Sequence, residues 1–173
     1  MTTQVETKAR PAWWQIVLVG RNPKHTVGRI IALVVVCALV RFFVLWPIQV
    51  QGVSMFPTYR DGRVNFVNHL AYVLHEPRRG DVVSIRLAGP HVMYMKRIVG
   101  LPGETVAFHQ GHALINGRIL DEPYVHGPCN WERPPVTLGP AQYFVVGDNR
   151  SMPLEDHTMG ETQRDRIEGK VLL

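Results

Sequence analysis

The segment INGRIL, residues 115–120, sets the expectation for the fold. A type I′ turn requires positive φ at both of its central residues, and an Asn-Gly dipeptide accepts those angles at little cost. Asn116 and Gly117 occupy these positions here, with apolar residues on either side. The segment therefore predicts a β-hairpin.

Around this hairpin, short apolar or alternating stretches are separated by Gly-Pro, Pro-Gly and similar turn pairs. Their lengths are typical of strands, and only residues 66–74 indicate a short helix or turn. We therefore expect one mainly β domain, an all-β arrangement of antiparallel sheets, without a repeat or a second domain. The predicted strands cover residues 64–67, 81–85, 91–95, 105–108, 113–115 and 143–146.

A nearly uninterrupted apolar run extends from Ile30 to Ile48. As a helix it would be roughly 28 Å long at about 1.5 Å per residue, close to the roughly 30 Å of a bilayer's hydrocarbon core. Arg41 would cost about 2.5 to 3.5 kcal/mol at the centre of a span, but it lies toward the outer half and can reach the interface. We predict one N-terminal transmembrane helix over residues 27–48. A buried helix of a soluble protein is the alternative.

The formal net charge of +5 comes from the first part of the chain. From residue 51 onward, thirteen Lys or Arg balance thirteen Asp or Glu, so the expected domain has no basic excess for binding nucleic acid. Five of the six earlier bases precede the apolar run, which by the positive-inside rule keeps the N-terminus cytoplasmic.

This charge distribution predicts a single-pass protein of the cell membrane with three regions. Residues 1–26 form a basic, interfacial cytoplasmic segment that contains Trp13 and Trp14. Residues 27–48 form the transmembrane helix, which is retained because no small-residue cleavage site follows it. Residues 49–173 form the extracytoplasmic β-rich domain.

Ser54 and Lys96 stand out because their residue types are rare in this chain. Serine occurs three times and lysine four times, while the other basic positions are arginine. A buried lysine readily shifts its pKa, whereas arginine effectively never loses its proton. Lowering a lysine pKa from about 10.4 to about 7 requires roughly 4.6 kcal/mol, which burial can supply. Lys96 is thus a candidate base for the hydroxyl of Ser54, in the Ser-Lys form of nucleophilic catalysis.

Both residues also have ordinary structural explanations. Ser54 is placed to bond a nearby amide in the turn before Pro57, and Lys96 at a strand end could keep its amine in water. Neither explanation needs the other residue. The residue types alone leave both possibilities open.

The histidines give weaker signals. His109 and His112 have no convincing ligand partners in the sequence, so no metal site is expected there. We interpret His157, next to Asp156, as half of a surface pair and not as a base for Ser54. Neither a metal nor a cofactor is expected.

Ordered segments of the chain resemble the conserved boxes of type I signal peptidases, the membrane-anchored Ser-Lys proteases that remove leader peptides from exported proteins. SMFPT is similar to the nucleophile box and YMKRIVGLPGE to the lysine box. The matching segments are SMFPT (54–58), RRGDVVSIR (78–86), YMKRIVGLPGE (94–104), INGRILDEPYV (115–125), YFVVGDNR (143–150) and the closing strand IEGKVLL (167–173).

The resemblance implies a role for each matching position. Ser54 would be the nucleophile, with its own amide as an oxyanion donor, and Lys96 the general base. The substrate would add as a β-strand beside the segments that precede these two residues, with small side chains in shallow pockets. The substrate-binding positions implied in this way are Ile48, Val50, Met55, Tyr94 and Met95.

The supporting positions include departures from the family pattern. Gly52 stands where many members carry a second oxyanion donor, a serine hydroxyl. Pro153 stands where a serine hydroxyl orients the lysine amine, so that Ser151 or Thr158 would have to substitute. Other supporting positions are Asp148 and Arg150 in GDNR, and Arg97, which we expect to pair with Glu155; the family's arginine in this box becomes His157.

The implied function is a membrane-bound serine endopeptidase that cleaves signal peptides from exported preproteins after a small residue, in an Ala-X-Ala context. One alternative is a weakly active or inactive relative that binds leader peptides as a partner subunit. Another is a dedicated peptidase with a narrow substrate range. The implied partners are preprotein signal peptides and the lipid bilayer, with room for a contact to the secretion machinery, but no nucleic acid.

Overall fold

The computed structural model describes residues 23–41, 45–88, 92–158 and 160–172 of the chain. The chain divides into two units, Met1–Arg41 and Phe42–Leu173. The interfacial segment predicted around Trp13 and Trp14 lies outside the described residues.

In the first unit, helix α1 extends over Pro23–Leu39. No helix among the described residues is both long and apolar enough to cross a membrane. The helix predicted over residues 27–48 does not continue to its expected end, because Leu45–Gln49 forms a strand instead. Pro47 accounts for this change, since proline disfavours helical geometry in the residue before it and has no N–H to donate.

The second unit is built from short strands and three single-turn 3-10 helices among its described residues. The helical turns are His69–Tyr72, Leu154–Asp156 and Arg164–Arg166. The strands are β1 (Leu45–Gln49), β2 (Val64–Asn68), β3 (Val82–Ala88), β4 (Val92–Gly100), β5 (Thr105–His109), β6 (His112–Ile115), β7 (Arg118–Ile119), β8 (Arg133–Thr137), β9 (Gln142–Val146), β10 (Gly160–Gln163) and β11 (Ile167–Leu172).

These strands form two sheets in which neighbouring strands pair antiparallel. The larger sheet has the order β1-β2-β11-β3-β4-β9-β10, and the smaller has the order β7-β6-β5-β8. Strand β1 is therefore an edge strand, whereas β4 is internal. The last strand in the chain, β11, lies between β2 and β3.

The mainly β prediction is confirmed, and each of the six predicted strands is present within a few residues of its expected bounds. The INGRIL hairpin is also confirmed: Ile115 pairs with Arg118 across β6 and β7, and φ is 52° at Asn116 and 77° at Gly117. The short helix expected within residues 66–74 is His69–Tyr72.

Alternation along β9 places side chains on both faces of the larger sheet. Phe144 and Val146 pack in one buried cluster with Phe108 and Trp131, which joins the two sheets. Tyr143 and Val145 belong to a second buried cluster on the other face, with Val83, Ile85, Ile98 and Ile167. Because both faces are covered, the strands that carry the candidate site are fixed from two sides.

Candidate active site

Ser54 lies on a turn between β1 and β2 that is closed at its base by backbone hydrogen bonds. Val50 N donates to Arg63 O over 2.8 Å, and Gly62 N donates to Val50 O over 2.9 Å. Met55 and Tyr59 are buried and anchor the turn in a third apolar cluster. Ser54 itself is half-buried, so its hydroxyl is held at the surface of a fixed turn.

Lys96 lies in β4, and only 4% of its surface is exposed. Its Nζ donates a hydrogen bond to Ser54 Oγ over 2.7 Å. Burial lowers the pKa of Lys96 to about 8, while the negative charge of Asp148 acts in the opposite direction. An amine with this pKa is neutral in a useful fraction of molecules near pH 8, and its lone pair can then accept the serine proton. The two rare residues therefore meet in a geometry suited to proton transfer.

Asp148 connects the strand of Lys96 to the turn of Ser54. This carboxylate is fully buried and accepts two hydrogen bonds from Arg97, over 2.8 Å from Nε and 2.6 Å from Nη2. Thr58 Oγ1 donates to the same carboxylate over 2.6 Å. A bidentate, charge-assisted pair of this kind fixes orientation as well as distance. Thr58, which belongs to the nucleophile turn, is thereby tied to the residue that follows Lys96.

Arg150, two residues after Asp148, supports the backbone of the same loop. It is 1% exposed and pairs with Glu122 through both terminal nitrogens, at 2.5 and 3.2 Å. Its Nε donates to Gly147 O over 3.1 Å, which fixes the backbone just before Asp148. Sequence reasoning included Arg150 but did not find Glu122, because nothing in the local pattern indicates a partner so far away along the chain.

The predicted pairing of Glu155 with Arg97 is wrong. Glu155 is exposed on the 3-10 helix Leu154–Asp156, whereas Arg97 is engaged by Asp148 and by Gly80 O at 2.7 Å. The cause lies in the sheet: β9 pairs with β4 so that Arg97 faces Val146, two residues before Asp148. The carboxylate nearest to Arg97 is consequently the one in GDNR.

Pro153 does not occupy the position expected from the family pattern. It is exposed before the same 3-10 helix and lines a depression with Trp131 and Arg150, apart from the cleft that holds Ser54. Ser151 and Thr158 do not line that cleft either. The orientation of Lys96 is therefore set by its burial and by Ser54, not by a hydroxyl from this loop.

His157 also differs from its predicted role as a surface residue. It is 6% exposed, its ring packs edge-on against Trp131 at 4.7 Å, and neither ring nitrogen has a partner among the described residues. Burial lowers the pKa of His157 to about 4, and the positive charges of Lys96 and Arg150 act in the same direction. The imidazole is thus neutral at the pH at which Lys96 titrates.

A cleft of about 360 Å³ opens beside Ser54 and Lys96. All five substrate-binding residues implied by the family resemblance line it. Sequence reasoning missed other lining residues, among them Ser84 and Met93, which lie beside the segments that the resemblance pointed to. Gly52 lines the cleft as well, and its N–H donates to Asp61 Oδ1 over 2.8 Å. The predicted lining residues are Ile48, Val50, Met55, Tyr94 and Met95.

The family model for signal peptidase, peptidase S26, matches residues 24–173. The chain belongs to this family. It is therefore a serine peptidase of the signal peptidase type, and the contact between Ser54 and Lys96 lies within the matched region. Among the described residues, no group of three or more His, Cys, Asp or Glu side chains could hold a metal ion.

Signal peptidases from several bacteria are similar to this chain over most of its length. Probable signal peptidase I-2 of Synechocystis sp. is 31% identical over 161 residues, covering 87% of this chain and 74% of the relative. Signal peptidase I T of Bacillus subtilis is 35% identical over 154 residues, covering 82% and 80%. A solved signal peptidase I from Enterococcus faecalis V583 is 27% identical and covers 56% of this chain and 97% of its own, with a TM-score of 0.46.

Proposed function

We propose that this signal peptidase is a membrane-anchored endopeptidase that removes signal peptides from exported preproteins by cutting after a small residue. Ser54 is the nucleophile and Lys96 the general base. The observation that carries the proposal is the 2.7 Å hydrogen bond between Lys96 Nζ and Ser54 Oγ, made by a buried lysine.

The reaction follows from the two protonation states of this pair. With Lys96 neutral, its amine takes the proton of Ser54 as Oγ adds to the scissile carbonyl carbon. The lysine ammonium then gives that proton to the leaving amine, which departs as the mature protein and leaves an acyl-serine. Water, deprotonated by the same amine, hydrolyses the acyl group and restores Ser54.

The substrate proposal rests on the edge strand β1. Its pairing partner among the described strands is β2 alone, so the other edge can accept an extended peptide through main-chain hydrogen bonds. The cleft beside that edge is lined by Ile48 and Val50 on one side and by Tyr94 and Met95 on the other. A shallow subsite between such apolar walls would favour small side chains and exclude bulky ones by overlap.

A panel of preproteins with several different leaders, each varied at the residue before the cut, tests this proposal. We expect the detergent-solubilised full chain to cleave an Ala-X-Ala substrate and to lose at least about a hundredfold in kcat/KM when that alanine becomes leucine or tryptophan. Cleavage would be followed by mass spectrometry of both products. Equal rates for all residues, or no cleavage of any leader, would refute it; cleavage of a single leader would indicate the narrow-substrate peptidase.

We also propose that the apolar run within the first unit anchors the chain, with residues 1–26 cytoplasmic and residues 49–173 extracytoplasmic. Large apolar side chains of α1 are about half exposed or more, among them Ile31, Leu33 and Val34. Exposure of these apolar side chains to water is unfavourable, whereas their transfer into the hydrocarbon core of a bilayer is favourable. The bases that precede the run favour the cytoplasmic orientation.

Alkaline extraction of membranes tests the anchor. The full chain is expected to stay in the membrane pellet, and the double substitution Leu33→Glu, Val36→Glu is expected to release it, because each carboxylate costs several kcal/mol in hydrocarbon. Tyr124→Phe, in the second unit, serves as the matched control and should stay in the pellet. Release of the unsubstituted chain would rule out an integral anchor.

A further inference from the structure

One residue, Asn149, holds two consecutive carbonyl oxygens of the nucleophile turn. Its side-chain Nδ2 donates to Val53 O over 3.1 Å, and its backbone N donates to Ser54 O over 3.0 Å. Val53 O also accepts a bond within the turn, from Phe56 N over 3.0 Å. Asn149 follows Asp148, which binds Thr58 in the same turn. None of residues 147–149 lines the cleft, so this segment holds the turn from the side away from the substrate.

Because the peptide bond is planar, the hydrogen bond to Val53 O also fixes the direction of the Ser54 N–H. Among the described residues, the cis peptide bond is Phe56-Pro57, so the bond between Val53 and Ser54 is trans. In a trans peptide the C=O and the following N–H lie in one plane and point in opposite directions. Because Val53 O points toward Asn149, the Ser54 N–H points away from Asn149, toward the cleft.

The Ser54 amide is also a donor that the rest of the described chain leaves without an acceptor. The neighbouring Gly52 carries no side chain, and its N–H is engaged by Asp61 Oδ1. The position that carries a hydroxyl donor in many family members therefore contributes neither a hydroxyl nor a free amide here. The direction of the Ser54 N–H becomes correspondingly more important.

We propose that Asn149 is a positioning residue that aims the Ser54 N–H at the oxyanion of the tetrahedral intermediate. The inference rests on the proposed function, because Ser54 must be the nucleophile. As Oγ adds to the carbonyl carbon and its proton passes to Lys96, the carbonyl π electrons move onto oxygen, and the Ser54 N–H donates to that charge. A donor that acts on this charge raises kcat and leaves ground-state binding little changed.

Replacement of Asn149 by alanine is the direct test, since it removes the side-chain bond to Val53 O. It keeps the backbone bond to Ser54 O and the bond from Phe56 N to Val53 O. In the detergent-solubilised full chain we expect kcat to fall by roughly tenfold to a hundredfold, with KM within about twofold. Asn149→Asp, which faces Val53 O with an acceptor, should lose more when measured above the pH at which Lys96 titrates. The exposed Asn130 provides the control Asn130→Ala, with unchanged kcat.

A peptide aldehyde that ends in alanine separates oxyanion binding from substrate binding, because it forms a hemiacetal with Ser54, whereas the corresponding alcohol cannot. Asn149→Ala should weaken inhibition by the aldehyde by about the factor lost in kcat and leave inhibition by the alcohol unchanged. Equal weakening of both, or an unchanged kcat, overturns the inference. A wild-type chain that neither cleaves preproteins nor binds the aldehyde overturns the proposed function instead, so the two failures are distinguishable.

Discussion

Ser54→Ala and Lys96→Ala are each expected to abolish preprotein cleavage, with kcat lower by on the order of 10⁴-fold or more. Alanine at position 54 removes the attacking oxygen, and alanine at position 96 removes the group 2.7 Å away that takes its proton. Because the two residues act as one unit, the double variant should be no slower than either single variant. The measurement is single-turnover cleavage of an Ala-X-Ala preprotein at high enzyme concentration.

The chain offers matched controls for both substitutions. Ser151 is exposed and donates only a long 3.4 Å bond to His126 O, and Lys170 pairs with Asp81 outside the cleft. Ser151→Ala and Lys170→Ala should retain activity. Lys96 adds a pH signature: kcat/KM should rise with pH through a limb near 8 as the amine loses its proton. An activity that survives Ser54→Ala would exclude the proposed nucleophile.

Gly147→Ala is expected to lower kcat by about a hundredfold while the fold persists. A Cβ at this position would lie 2.2 Å from Ser54 O and 2.6 Å from His157 Cε1. The backbone oxygen must move, and the nucleophile turn moves with it, so the alignment of Oγ with Lys96 is lost. Overpacking of this kind also costs about 1–3 kcal/mol of stability, which thermal unfolding would measure.

Gly139→Ala is the control for this substitution. Its Cβ would lie 3.1 Å from Gln142 Oε1, the end of a flexible side chain, so a small rotation relieves the contact. We expect both the unfolding temperature and kcat to change little. A Gly147→Ala enzyme as active as the wild type would show that the turn tolerates displacement and would contradict the tight alignment described here.

The strands that the sequence predicted are those with strong local signals. Asn116 and Gly117 both tolerate the positive φ that a type I′ turn requires, and the apolar strands β3, β4 and β9 are internal strands of the larger sheet. The strands that sequence reasoning missed lie at sheet edges. Strand β8 contains two prolines and β10 reads Gly-Glu-Thr-Gln, compositions that edge strands tolerate because one side needs no ladder bonds.

Some residues of the site could be identified from the sequence, whereas the contacts between distant segments could not. Ser54 and Lys96 stood out as rare residue types, and the resemblance to the family boxes assigned their roles and those of Ile48, Val50, Tyr94 and Met95. The pairing of Arg97 with Asp148, and the burial of His157, depend on how β4 and β9 pair and on where a loop turns inward. Such contacts between distant segments leave no periodic trace in the sequence, which is why Glu155 was assigned wrongly.

The position of β11 between β2 and β3 sets an order for the appearance of activity during biosynthesis. A ribosome-bound chain that has not yet produced residues 167–172 contains Ser54, Lys96 and the other described strands, yet its β2 and β3 have no strand between them. The strands that frame Ser54 and Lys96 then belong to two unjoined pieces of sheet. Peptidase activity is therefore expected only after this strand has been inserted and has joined the two pieces.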